Sequence, residues 1–144
     1  MKGHLSTLML WLLLLTIQDI AGADELRLAD GGSRCAGRVE VKRHDQWGTV
    51  CSSYWDKADA GVVCKQLGCG AAVSVHRNAH FRPGSGPIWL DRVACDGTES
   101  ALWDCRNRGW NVHDCYHGWD AGVTCSDKNS LRQKGLNSED VMYL

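Results

Sequence analysis

The chain has 144 residues, a one-domain length, with 16 lysines and arginines against 17 aspartates and glutamates. So even a balance gives no argument for nucleic acid as a specific partner, nor for a strongly acidic one, and any electrostatic recognition must come from local clustering. Eight cysteines are many for a cytosolic domain of this size, and 16 glycines against 2 prolines favour turn-rich β structure over proline-rich linker.

The first residues set the compartment. Met1 to His4 form a short n-region with Lys2, Leu5 to Ile17 is mostly apolar, and Ala21-Gly22-Ala23 is a small-x-small site before Asp24. This is the order of a secretory signal peptide over residues 1–23, and its apolar stretch is short for a membrane span. No later run is long and apolar enough to span, so the mature chain, Asp24 to Leu144, is expected to be secreted and oxidised, with no membrane span. All eight cysteines lie in that part, and their even number predicts four disulfides whose pairing the sequence leaves open. Zinc would need closely paired ligands such as C-x-x-C. None occurs, and His76, His80, His113 and His117 follow no zinc spacing.

Leu26-Arg27-Leu28 alternates and meets a turn signal at Asp30-Gly31-Gly32. Gly37 to Arg43 alternates again, with Val39 and Val41 on one face and Arg38, Glu40 and Lys42 on the other, as in a half-buried strand. His44-Asp45-Gln46 connects it to a strand over Trp47–Cys51, giving a hairpin. Asp56 is placed to cap a helix from Lys57 to Leu67, whose Ala60, Val63, Cys64 and Leu67 share a face, and Gly68 stands where a terminating glycine belongs. Ala71–Val75 reads as a strand, 77–86 as a surface loop, and Ile88-Trp89-Leu90 with Val93 as a strand leading into Cys95. Thr98 is expected to cap a short turn through Leu102 and Trp103. Residues 106–118 read as loop and 121–125 as a closing strand. Residues 127–144 are polar, mixed in charge and free of cysteine, the composition of a disordered tail. Asp59-Ala60-Gly61-Val62-Val63-Cys64 echoes Asp120-Ala121-Gly122-Val123-Thr124-Cys125, but one reads as helix and the other as strand, so the echo is taken as coincidence.

These residues also spell a family. Leu26-Arg27-Leu28 leads to Gly31-Gly32-Ser33-Arg34-Cys35-Ala36-Gly37-Arg38-Val39-Glu40-Val41, then Trp47-Gly48-Thr49-Val50-Cys51 and Val62-Val63-Cys64-Lys65-Gln66-Leu67-Gly68-Cys69. Gly86-Pro87-Ile88-Trp89-Leu90-Asp91, Leu102-Trp103-Asp104-Cys105 and Asp120-Ala121-Gly122-Val123 follow. The stretch resembles a scavenger receptor cysteine-rich (SRCR) domain of the eight-cysteine, group B type, over residues 24–126. The resemblance implies a small disulfide-rich α+β fold, a curved antiparallel β-sheet cradling one α-helix, with long loops. It also implies the pairs Cys35–Cys69, Cys51–Cys115, Cys64–Cys125 and Cys95–Cys105. Closing a loop the length of Cys51–Cys115 stabilises a fold by about 4 kcal/mol in the chain-entropy model.

Function by this resemblance is recognition in innate immunity. The chain is expected to be a secreted module for polyanionic or microbial surface ligands. The alternatives are a binder or regulator of one host protein, or a short soluble form of a multidomain receptor. Arg38, Glu40, Lys42 and Arg43 with Trp47 match a stretch tied to bacterial binding in some family members, and the three cations suit phosphate or sulfate. Arg82, Arg92, Arg106 and Arg108 form a second basic group if the loops bring them together. Many SRCR domains bind calcium, but no cofactor is expected here. One acidic set is replaced by Ser52, Ser53 and Trp119, while a second keeps Asp91 and Asp114 beside Arg92, a cation where a second acid is common. Trp119, standing where an exposed acid is expected, becomes a candidate protein-contact anchor. An enzyme is not expected: Ser52 and Ser53 sit in no G-x-S-x-G, and no H-E-x-x-H occurs.

Overall fold

Alternation in β2 (Ala36–Arg43) sends Val39 and Val41 into the core, both fully buried, and it makes this strand the centre of the sheet. A computed structural model describes residues 23–127. The leader up to Gly22 and the tail from Lys128 lie outside the described residues. Strand β1 (Glu25–Ser33) pairs along one edge of β2. The other edge is shared: β6 (Gly122–Cys125) takes Ala36–Arg38, and β3 (Gln46–Val50) takes Glu40–Arg43. Between them the Val39 N–H donates to Ala121 O at 2.9 Å, which closes the fork. β4 (Ala72–His76) flanks β6, and β5 (Ile88–Leu90) flanks β3, giving the order β4-β6-β2-β3-β5. All pairs are antiparallel except β3–β5. The result is the expected curled sheet around one helix.

The β2–β3 hairpin turns on His44 and Asp45, with φ of 51° and 60°. Two consecutive left-handed residues are what a two-residue hairpin matched to strand twist requires. Helix α1 (Lys57–Gln66) starts as its sequence predicts. Asp56 Oδ1 accepts from the Asp59 N–H at 3.0 Å, and Asp59 Oδ2 accepts from the Asp56 N–H at 2.9 Å. Gly68, at φ 66°, follows the helix end. Ala60, Val63 and Cys64 pack fully buried against the sheet side with Val123, Val50, Leu90, Val93 and Leu102. The core is small, and the four bridges span it. They are the four pairs that the resemblance implies, and Cys64–Cys125 ties α1 to β6.

Several local expectations change. β1 does not stop at the Asp30 turn signal but runs to Ser33, its register slipping between the two. Asp30 takes a φ of 63° there, so a left-handed residue makes a bulge and the ladder continues. Val93 lies beyond β5. Thr98 caps nothing: the 3-10 turn Leu102–Asp104 begins without a side-chain cap, and Gln66 Oε1 on α1 takes the Leu102 N–H at 2.8 Å. The Thr98 N–H instead donates to Asp96. The loop over 106–118 ends in a second 3-10 turn, His117–Trp119. The echoed hexapeptides do take different structures, one in α1 and the other entering β6.

Asp59 is fully buried, and its Oδ1 accepts from the Cys95 N–H at 2.8 Å. Burial pushes its carboxyl up to about 6, against the pull of the Cys95 and Asp56 N–H donors, with the neighbouring Asp56 raising it further. Asp59→Ala strands both N–H groups and should cost about 2–3 kcal/mol in chemical denaturation. Because the folded state holds the Asp59 proton more tightly than the unfolded chain, the stability supplied by that tighter proton binding is fully present below about pH 4 and is lost as pH rises through about 6, while the N–H bonds persist. Wild type should therefore lose stability relative to Asp59→Asn across that window, and parallel curves would contradict the assignment.

Candidate ligand-binding surface

The polar face of β2 is a network of ion pairs. Glu40 Oε1 lies 2.7 Å from Arg27 Nη2, and Glu40 Oε2 lies 3.0 Å from Arg38 Nη2. Arg38 Nη1 reaches Asp30 Oδ2 at 2.9 Å and donates to the carbonyls of Phe81 and Arg82. Arg38 and Glu40 therefore do not project into solvent as expected: they are 7% and 6% exposed, covered by β1 and the 81–84 strap. Burial alone would lower the Arg38 pKa, but the Asp30 and Glu40 hydrogen bonds outweigh it and the guanidinium stays charged. Lys42 Nζ pairs with Glu25 at 3.1 Å and Arg43 with Asp24 at 3.3 Å, both half-buried. Arg27 stacks over Trp47 at 3.9 Å and Arg43 over Trp110 at 4.0 Å. On this face Arg27, Arg38 and Lys42 meet Glu40, Asp30 and Glu25, and the Arg43–Asp24 pair on the opposite side of the strand is balanced too, so the sheet cations leave no excess positive charge.

The second basic group divides. Arg92 and Arg106 converge with Arg77 on an open groove of about 560 Å³, floored by Val93 and Ala94 and bordered by Tyr54 and Asp56. Arg77 Nε donates to the Trp55 carbonyl at 2.8 Å, and its Nη2 donates to the same oxygen. Neutral oxygen acceptors orient the side chain without cancelling its charge. Arg92 lies over the Tyr54 ring at 5.8 Å, and both residues sit at left-handed φ, 52° and 63°. Such strain in non-glycine residues is held only where surroundings over-determine it. Arg77 carries no signal in the sequence, since it lies at the start of a loop with no motif. Arg82 stays on the strap over β2, where its carbonyl takes Arg38.

Arg108 goes elsewhere. Its Nη1 lies 3.2 Å from Asp91 Oδ2 and 3.0 Å from Asp114 Oδ2, so the structure brings the two expected acids onto one guanidinium. Arg92, expected to disturb that pair, faces Tyr54 instead. The other set also meets: the Ser52 N–H donates to Trp119 O at 2.7 Å, and Ser52 Oγ accepts from the Asn78 N–H. Trp119 is 39% exposed and stands edge-on to the more exposed Tyr116, ring centroids 5.0 Å apart.

The sequence profile described as "Scavenger receptor cysteine-rich domain" matches residues 29–126. The chain belongs to the SRCR family. With eight cysteines in four bridges it is of the group B type. It is 56% identical over 110 residues to T-cell differentiation antigen CD6 of Mus musculus, covering 76% of this chain and 16% of that protein. Against the galectin-3-binding protein of Pongo abelii it is 48% identical over 118 residues, covering 82% of this chain and 20% of that protein. It thus spans about a fifth or less of either relative's length. Among solved structures, the third SRCR domain of murine neurotrypsin aligns with a TM-score of 0.64 and 43% identity, over 72% of this chain and 97% of that one. The SRCR domain of mouse MARCO, in a dimeric form, aligns at 0.59 and 41%, over 73% and 90%. SRCR domains are non-enzymatic ligand-binding modules, extracellular in related receptors and secreted proteins, and residues 29–126 of this chain form one. Among the described residues no helix is long and apolar enough to cross a membrane.

The calcium chemistry that the family resemblance implies does not fit these residues. Ser52, Ser53 and Trp119 offer no carboxylate, and Asp91 and Asp114 already share a cation. The other metal-like groupings among the described residues rely on Cys51, Cys115, Cys95 and Cys105, all consumed in disulfides, so no thiolate is available. Zinc chemistry has no donor set there.

The ion-pair network separates framework from surface. Arg38→Ala leaves Glu40 buried with only Arg27 beside it and should cost about 3 kcal/mol in chemical denaturation. Lys42→Ala and Arg43→Ala break partly exposed pairs and should each cost under about 1 kcal/mol. Equal costs would contradict this division.

Proposed function

We propose that this SRCR domain is a secreted recognition module for polyanionic ligands, including those on microbial surfaces, and that it serves innate immunity. The observation that carries this reading is the contrast in charge compensation. The β-sheet cations are each matched by an acid in a direct ion pair, whereas Arg77, Arg92 and Arg106 line one groove bordered by Asp56, with Asp96 acting on Arg106 only at longer range. Guanidinium forks are well matched to sulfate, phosphate and carboxylate groups. Arg38 and Glu40 act as framework in this reading. Lys42 and Trp47 on one side of the strand and Arg43 on the other supply weaker contacts, where an incoming anion must compete with Glu25 and Asp24. Export is supported by the leader pattern of residues 1–23 and by the four bridges, which need an oxidising compartment.

A second reading, recognition of one host protein, is favoured by a separate observation: the exposed Tyr116–Trp119 pair. Amphipathic aromatics of this kind anchor protein interfaces. One relative, the galectin-3-binding protein, is named for a protein partner.

Heparin and microbial-surface polyanions are the probes. Arg92→Ala and Arg106→Ala should each weaken heparin binding by about tenfold, as loss of a charge-assisted hydrogen bond does. Lys42→Ala with Arg43→Ala should change it less. Unchanged retention in the groove variants would overturn the reading. Loss of a captured host protein in Trp119→Ala, with heparin binding intact, would favour the second.

A further inference from the structure

One nitrogen of Arg108 serves two carboxylates from different segments, Asp91 at the end of β5 and Asp114 beside Cys115. Asp91 is 2% exposed, lies against the Cys51–Cys115 bridge, and its Oδ1 has no hydrogen-bond partner. A buried carboxylate with an unpartnered oxygen demands a cation nearby. The backbone delivers one. The Arg108 N–H donates to Asp91 O at 3.3 Å, the Asn111 N–H to Trp89 O at 2.9 Å, and the Ala94 N–H to Arg106 O at 2.8 Å. Residues 106–111 thus run alongside 89–94, and Arg108 is placed at the acids by main-chain pairing. The Asp114 and Asp91 hydrogen bonds raise its pKa, so it remains a cation wherever the acids are ionised.

We propose that Arg108 is a tethered cation standing where a divalent ion would otherwise sit, so that Asp91 and Asp114 form a latent metal site closed by the chain itself. With the guanidinium in place the trio carries one net negative charge. Without it, the Asp91 and Asp114 carboxylates that now hold it present hard oxygen donors of the kind that calcium selects. A calcium ion must first displace a cation that never leaves its neighbourhood, because the main-chain pairing keeps its effective concentration high. Order at this corner is therefore independent of calcium.

Calcium titration calorimetry and thermal unfolding, with calcium or with a chelator, test this on the full mature chain. Wild type should show no calcium-dependent shift in its midpoint. Arg108→Ala should bind calcium at least about tenfold more tightly than wild type and gain a calcium-dependent rise in midpoint, because a like charge has gone from the site. Adding Asp114→Asn to that variant should remove both effects. A folded Arg108→Ala protein that gains no affinity would overturn the proposal, as would a wild-type shift that Asp114→Asn abolishes. Should Arg108→Ala fail to fold, wild type decides by nuclear magnetic resonance. The Asp91 and Asp114 amides should stay unmoved as calcium is added, and movement localised there would overturn the proposal.

Discussion

The buried carboxylate of Asp59 is the constraint on which the arrangement of the loop half rests. One oxygen closes the first turn of α1 through the Asp56 N–H, and the other holds the Cys95 N–H. A short side chain thus joins the helix to a segment that shares no ladder with it. The Cys95–Cys105 bridge carries the connection on to Arg106. Asp56, Cys95 and Arg106 all border the arginine groove, so one buried group positions three of its walls. The cost is a carboxyl whose charged form is disfavoured by burial, which the two N–H donors offset in part.

Charge is handled in two ways on this molecule. On the sheet, β1 lies beside β2, and Arg27, Asp30 and Glu25 fall within reach of Glu40, Arg38 and Lys42. Cross-strand pairing neutralises a row of residues that looks cationic when β2 is read alone. In the loops, cations meet carbonyl oxygen and aromatic ring instead: Arg77 on the Trp55 carbonyl, Arg92 over Tyr54. These partners fix geometry and leave the charge available. Arg108 instead forms direct ion pairs, because its segment pairs with the one that carries Asp91 just beyond β5.

The bridges and the core divide the labour. Val39, Val41, Val63, Trp55 and Val123 are fully buried, yet a domain of this size buries too little apolar surface for a wide stability margin. Cys64–Cys125 clamps helix to sheet, and Cys51–Cys115 fastens the long loop beside β3. Trp55 adds a polar tie, its indole N–H donating to the Gly122 carbonyl at 3.1 Å. Functional loops gain a rigid base in this way without needing regular structure of their own.

Much of the fold was legible in the sequence because its signals are local. Alternation marked β2, Asp56 and Gly68 bracketed α1, and the order of cysteine blocks pointed to the SRCR family and to its four pairs. Local signals misled where a distant partner took over. Asp30 reads as a turn but sits inside a paired strand, and Thr98 reads as a cap while Gln66 on the helix satisfies the Leu102 N–H. The surface was the least legible part. Arg38 and Lys42 alternate identically along β2, and only the neighbouring strand and the strap make one framework and leave the other near solvent. Arg77, Arg92 and Arg106 are separated along the chain and share no motif, and Arg108 belongs to the same basic stretch as Arg106 yet points at acids. Residue type and spacing determined the elements and the bridges, because those depend on backbone periodicity and on matched cysteines. Which cations stay uncompensated was decided by the tertiary structure alone, because compensation is a matter of a few ångströms between residues that the sequence holds far apart.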